Sequence, residues 1–396
     1  MRPALRIQKL SLNHKLKGIK MHKYLLLSVC GCLISFTANA FETNAKYAYL
    51  IDADTGFVMY DKKSDVVMAP ASMSKLMTAY MLFEAIKNGR ISMEDEFVVS
   101  DNAWRKGGVK SGSSTMFLEP NKKVKVKDLL RGIIVQSGND ACIVAAEGLA
   151  GSEETFAKLM TQKAKELGLT ESTFKNATGL PHPEHLMSSR DLARLAQALI
   201  RDFPEYYPIY SEKEFTYNKI KQGNRNPLLY SMDGADVLKT GHTEASGYGL
   251  TGSIKKDGRR LIMVINGLKS MKARSEESQK LMGYGLSGFE NVTVFEKDTV
   301  VDNLPVWYGE VQTVPAIPAN AIVMTIERGN QKSVQTKVVY DSPIPAPIKK
   351  GQKVGQLIIT ADPNQTKTVD LLAGQDIEKV GYFGKLKRIV LSVFGK

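Results

Sequence analysis

Pro70-Ala71-Ser72-Met73-Ser74-Lys75 runs without a break into Leu76-Met77-Thr78-Ala79-Tyr80-Met81-Leu82-Phe83-Glu84-Ala85-Ile86. Only Thr78 and Glu84 interrupt the second stretch, so a helix built from it is apolar on every face. Such a helix belongs inside a core, not on a surface. Ser72 and Lys75 stand at its mouth, and the three-residue step brings their side chains within reach of each other. A serine hydroxyl is a poor nucleophile until a base takes its proton. A lysine one turn into an apolar helix is partly desolvated, which favours the neutral amine. The N–H of Ser72, at a helix N-terminus, is free to meet a developing oxyanion. Alone, the pair reads more readily as a capping serine and a snorkelling lysine. Ser-x-x-Lys also occurs at Ser172/Lys175, in a polar stretch, and at Ser253/Lys256, on a strand pattern where residues three apart face opposite ways.

Working outward, residues 47–51 and 57–60 flank Asp52-Ala53-Asp54-Thr55-Gly56 and read as a β-hairpin. Residues 247–254 and 259–266 alternate around Lys256-Asp257-Gly258 as a second. Residues 126–135, 141–149, 153–167 and 189–200 read as helices. Hairpins at both ends with helices between imply an antiparallel sheet covered by a helical cluster, an α+β fold. After Phe289 the texture changes. Short β-like runs at 292–295, 322–326, 334–340, 357–360 and 369–372 are separated by Pro and Gly, with no His or Cys, as in a small all-β module without catalytic inventory. From Asp376, Ile377, Val380, Phe383, Leu386, Ile389, Val390, Val393 and Phe394 recur at helical spacing among Lys379, Lys385, Lys387, Arg388 and Lys396. That is an amphipathic C-terminal helix suited to a membrane surface. The expected divisions are 1–40, 41–290, 291–374 and 375–396.

A chain of 396 residues, 43% apolar and 24% charged, has the composition of an ordinary globular protein. Its net charge of +13 is concentrated at one end, because residues 1–40 hold seven Lys/Arg and no acid. The remainder carries 47 cations against 41 anions, a net +6 that suits an anionic surface and does not demand nucleic acid. Residues 21–40 have the layout of a signal peptide with Met21 as its start. His22 and Lys23 precede an apolar stretch too short to span a bilayer comfortably, and Ala38-Asn39-Ala40 forms the cleavage site. Cys30 and Cys32 leave with it, so the exported chain keeps only Cys142 and can form no internal disulfide. The apolar neighbours of Cys142 mark it as structural. The expected location is the periplasmic side of the bacterial inner membrane.

Two further patterns accompany Ser72. Ser137-Gly138-Asn139 falls on a turn between two helices, where a hydroxyl could relay a proton and an amide could hold a carbonyl. Lys239-Thr240-Gly241 opens the second sheet region; its lysine and threonine can bind a carboxylate, and its glycine lets a substrate backbone approach a strand edge. Pro70-Ala71-Ser72-Met73-Ser74-Lys75, Ser137-Gly138-Asn139-Asp140-Ala141-Cys142 and Lys239-Thr240-Gly241-His242-Thr243, in this order, resemble the low-molecular-mass penicillin-binding proteins. The match is with the D-alanyl-D-alanine carboxypeptidases of the penicillin-binding protein 5 and 6 type, peptidase family S11. Residues 113–118 (Ser-Ser-Thr-Met-Phe-Leu), Ser188-Ser189-Arg190-Asp191-Leu192-Ala193 and the tail extend the resemblance over nearly the whole exported chain.

The resemblance implies a β-lactamase/transpeptidase-like catalytic domain acting on peptidoglycan stem peptides and acylated by β-lactam antibiotics. Ser72 would be the nucleophile, Lys75 the base and Ser137 the proton shuttle. Asn139 would hold the substrate amide, and Lys239, Thr240 and Gly241 would receive the terminal carboxylate and backbone. The N–H of His242 would complete the oxyanion hole. Arg225 and Arg274 enter as supporting cations on the resemblance alone. No cofactor is expected, and His182, His185 and His242 lack the pattern of a zinc site. A class A β-lactamase shares the acylating residues but needs a Glu-x-x-x-Asn loop. Here Asn176 follows Glu171 by five residues, and Gly138 stands where those enzymes carry aspartate. A β-lactam sensor would keep the acylated serine without turnover.

Overall fold

In a computed structural model, residues 4–10, 41–236, 238–362 and 365–381 are described. The chain divides into two compact units, Phe41–Gly288 and a second that begins at Phe289 and includes the N-terminal segment. Within that segment Ala4–Leu10 pairs antiparallel with Gln335–Ser342.

In the first unit the two expected hairpins form, Tyr47–Asp52 with Val58–Lys62 and Gly247–Lys256 with Arg259–Leu268. They join across Arg259–Leu268 and Tyr47–Asp52 into one antiparallel sheet of five strands. The Lys239–Thr243 strand closes one edge by pairing only with Gly247–Lys256. Helices Lys75–Lys87, Val126–Ile134, Asn139–Ala150, Glu153–Glu166 and Ser189–Asp202 lie where the periodicity places them. Ser152 and Ser188 cap two of these, each side-chain oxygen accepting an N–H three residues on. Leu76, Met77, Ala79, Leu82 and Phe83 are sealed from solvent, as an all-apolar helix requires. Met271–Gly288 adds a helix with no clear apolar stripe. A Cβ at Gly285 would come within 2.7 Å of Leu50 Cδ2 and 2.9 Å of Leu261 Cδ1, so glycine there lets the helix press onto the sheet.

Among its described residues the second unit is all-β apart from a short 3-10 turn at Gln331–Ser333, with its own core around Leu304, Val314, Val338, Leu357 and Leu371. It includes Phe289–Phe295, Ile322–Glu327, Gln335–Ser342, Lys353–Asp362 and Gln365–Ala373. Asp302–Trp307 and Thr313–Pro318 are further strands, hidden from a sequence reading by Pro305, Pro315 and Pro318.

One expectation is overturned. Asp376 does not open a helix. Ile377 is buried and exchanges two backbone hydrogen bonds with Ile348, at 2.9 and 2.8 Å, and Val380 N–H donates to the Tyr308 carbonyl at 2.8 Å. This segment is extended because Ile377 gains more from the β core than from continuing an apolar helical stripe. The rest of the expected helix, residues 382–396, lies outside the described residues. Among the described residues no helix is long and apolar enough to cross a membrane.

Candidate active site

A 3-10 turn, Ala71–Ser74, feeds directly into the buried Lys75–Lys87 helix. Lys75 is only 1% exposed, and its Nζ lies 2.8 Å from Ser72 Oγ and 2.5 Å from the carbonyl oxygen of Thr178. That carbonyl is held by a local turn. Asn176 Oδ1 accepts from the N–H groups of Thr178 and Gly179 and from the Thr178 hydroxyl. Gly179 has φ +78°, and a Cβ on it would meet the Ala71 oxygen at 2.0 Å, so this position admits only glycine. Burial, the largest cause, brings the Lys75 pKa from 10.5 down to about 8, and the Arg225 cation pushes the same way.

Ser137 sits in the turn between two buried helices with φ +60°, a costly conformation for serine. Gly138 N–H closes that turn on the Gly132 carbonyl at 2.8 Å. Asn139 Nδ2 donates to Ser113 Oγ at 2.8 Å, and its backbone N–H donates to the Ser114 carbonyl at 2.7 Å. Its buried Oδ1 has no hydrogen-bond partner among the described residues, leaving an acceptor unused. Asp140 follows with no exposure at all. Its carboxylate accepts from Thr115 Oγ1 at 2.6 Å, from the N–H groups of Met116 at 2.9 Å and Leu118 at 3.1 Å, and from Ala141 N–H at 2.9 Å. Residues 113–118 are thereby clamped as one wall beside Asn139.

The Lys239–Thr243 edge strand forms the opposite side. A Cβ at Gly241 would stand 2.8 Å from the Pro70 oxygen and 3.1 Å from Met73 Cγ, so the strand rests against the Ser72 turn. Lys239 is 4% exposed, and its Nζ donates to the Thr240 carbonyl at 3.1 Å. Burial holds its pKa well below the ordinary lysine value, and the cations Lys75, Arg225 and Arg274 add to that. Arg225 Nη1 donates to Ser114 Oγ at 2.5 Å, and Arg274 Nη2 to the Arg225 carbonyl at 3.4 Å. Burial lowers the pKa of Arg274, whereas the Arg225 side chain is open to solvent. His242 stacks on Tyr248 with ring centroids 3.8 Å apart, and Arg274 sits over the other ring at 5.9 Å. The buried cations Lys239 and Arg274, with Arg225 exposed beside them, suit a carboxylate.

The look-alike pairs are elsewhere employed. Ser172 Oγ donates to Asp191, and Ser253 Oγ accepts from Arg260. Cys142 is sealed, and burial pushes its thiol up to about 12, leaving it inert. Glu171, the β-lactamase-type candidate, is exposed. His185 is buried against Phe174, its Nδ1 accepting from Lys175 N–H. Among the described residues no group of three His, Cys, Asp or Glu could hold a metal. Thr178 and Asp140 escape a sequence reading. One acts through a backbone oxygen, and the other looks like an ordinary acid in the first turn of a helix.

Residues 34–270 match the family model described as D-alanyl-D-alanine carboxypeptidase, and residues 289–379 match that of the penicillin-binding protein 5 C-terminal domain. D-alanyl-D-alanine carboxypeptidase DacC of Escherichia coli is 39% identical over 361 residues, covering 90% of each chain. DacF of Bacillus subtilis is 36% identical over 349 residues, covering 87% of this chain and 88% of that one. The structure of penicillin-binding protein 5 from Haemophilus influenzae superposes with a TM-score of 0.78 at 35% identity, covering 86% of this chain and 99% of that one.

Proposed function

The chain belongs to the D-alanyl-D-alanine carboxypeptidases of peptidase family S11, and from that membership we propose the part each residue plays. The protein is a serine-type D-Ala-D-Ala carboxypeptidase that acts on peptidoglycan stem peptides and interacts with β-lactams. Ser72 Oγ attacks the carbonyl of the penultimate D-alanine while neutral Lys75 takes its proton. One N–H donated to the Thr178 carbonyl anchors the amine beside the hydroxyl, where its lone pair can turn to accept the proton. The N–H groups of Ser72 and His242 receive the oxyanion. As the tetrahedral intermediate collapses, the C–N bond breaks and the proton passes from Lys75 through Ser137 to the departing D-alanine amine. Water, deprotonated by the same lysine, then cleaves the ester. Asn139 accepts a substrate amide N–H at its unused Oδ1. Lys239, Thr240 and Arg225, with Arg274 behind, hold the terminal carboxylate, and Gly241 keeps the strand edge open to the peptide.

The observation that carries this reading is the fully buried Lys75 amine, 2.8 Å from the hydroxyl it would deprotonate, with a pKa of about 8. Release of D-alanine from a peptide ending in D-Ala-D-Ala tests it. The exported chain should release it and Ser72→Ala should not; equal release by both would end the assignment. The remaining divisions follow with shifted bounds: residues 41–288 form the catalytic domain and 289–381 the β module, Ile377 included. Residues 382–396 hold the periplasmic enzyme at the inner membrane through apolar side chains interleaved with Lys385, Lys387, Arg388 and Lys396.

A further inference from the structure

Among the described residues from Phe289 onward, the large apolar side chains standing open to solvent are Val300, Trp307 and Val311. Two of these three bracket a single hairpin tip. Trp307, 51% exposed, ends the Asp302–Trp307 strand and stacks on Tyr308 with ring centroids 4.9 Å apart. Val311, 44% exposed, stands across the turn, just before Thr313–Pro318 begins. Glu310 is the only charged residue between Trp307 and Thr313.

The C-terminal strip runs alongside this tip. Gly309 forms a β-bridge with Lys379, Glu310 N–H donates to the Glu378 carbonyl at 2.9 Å, and Val380 N–H donates to the Tyr308 carbonyl at 2.8 Å. The chain therefore leaves the module beside the open indole. Fifteen residues follow, 382–396, with four Lys/Arg, eight apolar or aromatic residues of large size and no acid. Indoles with an open edge favour the bilayer interface, where the ring is buried and its N–H stays wet.

We propose that the Trp307–Val311 tip is a second membrane contact, its indole and Val311 entering the headgroup region of an anionic bilayer beside the tail. The inference rests on the tail being the first contact. A single short amphipathic segment binds reversibly, and a second contact fixed to the folded module raises the effective affinity without enlarging the first. It also gives the module one orientation on the surface.

The chain has two tryptophans, Trp104 and Trp307, so Trp104→Phe leaves Trp307 as the sole reporter. The exported W104F chain is mixed with phosphatidylcholine/phosphatidylglycerol vesicles whose acyl chains carry bromine near the headgroup. Indole emission should be quenched by these vesicles and not by unbrominated ones. Trp307→Ala should weaken co-sedimentation about tenfold, the worth of roughly half a buried large side chain. Sedimentation with unquenched emission would overturn the proposal and leave the tail reading standing; it is also the result if the tail or another protein covers the indole. Failure to sediment at all would overturn both.

Discussion

Lys75 Nζ stands between two oxygens, 2.8 Å from the Ser72 hydroxyl and 2.5 Å from the Thr178 carbonyl. In the proposed mechanism the first contact is the acid–base pair, and the second orients the amine within it. Removing the base while keeping the hydroxyl separates the two roles. Lys75→Ala should slow acylation by a β-lactam by about 10²–10⁴-fold, the usual worth of a positioned general base. Stopped-flow acylation of wild type and variant measures this. A loss below tenfold would assign the proton to another group.

The pH dependence has a definite sign. The Lys75 pKa is lowered from 10.5 to about 8, and only the neutral amine can accept the Ser72 proton. The second-order acylation rate should therefore rise about tenfold per pH unit below 8 and level off above it, because each unit changes the neutral fraction by that factor. An acylation profile that falls through this range would contradict the assignment.

Asp140 carries no chemistry in this account and yet should matter. Asp140→Asn replaces one acceptor oxygen with a donor facing N–H and O–H groups of residues 115–118. The unmatched groups should cost about 1–3 kcal/mol of stability, read by thermal or denaturant unfolding. Because that wall also holds Asn139 and Arg225 through Ser113 and Ser114, KM for the peptide should rise more than kcat falls. Unchanged kinetics with lowered stability would reduce Asp140 to a purely structural residue.

Gly241 is tested by addition. The Cβ of Gly241→Ala would press the Pro70 carbonyl and Met73, shifting the edge strand against the Ser72 turn. A displacement near 1 Å at a reacting centre costs on the order of 10²-fold in rate. D-alanine release should drop by about that much while the fold, followed by circular dichroism, persists.

The buried Lys239 amine predicts carboxylate dependence. Lys239→Ala should raise KM for a D-Ala-D-Ala peptide by roughly 10–100-fold, the worth of a charge-assisted hydrogen bond. An otherwise identical peptide with an amidated C-terminus should be handled poorly by the wild type and lose little further in the variant. Equal losses on both peptides would place Lys239 outside the carboxylate site.

Much of the fold is legible because its elements obey simple periods. The Lys75–Lys87 helix announces its burial by lacking a polar face, the first hairpin by its Asp/Gly turn cluster and the second by alternation around Asp257-Gly258. The Ser72–Lys75 contact follows from local spacing. Long-range geometry does not. The Thr178 carbonyl reaches Lys75 across 103 positions, and the four bonds to Asp140 come mostly from a loop more than 20 residues upstream. Met271–Gly288 hides because glycines break its stripe, and Thr313–Pro318 because prolines argue against a strand. Ile377 shows the opposite failure: its helical spacing is real, but a β core claims the side chain.

The most direct test labels the protein with a β-lactam, digests it and locates the adduct by mass spectrometry while timing its loss. The adduct should sit on Ser72, vanish in Ser72→Ala, form slowly in Lys75→Ala and persist unchanged in Ser172→Ala and Ser253→Ala. An adduct on any other residue, or undiminished labelling of Ser72→Ala, would contradict the account.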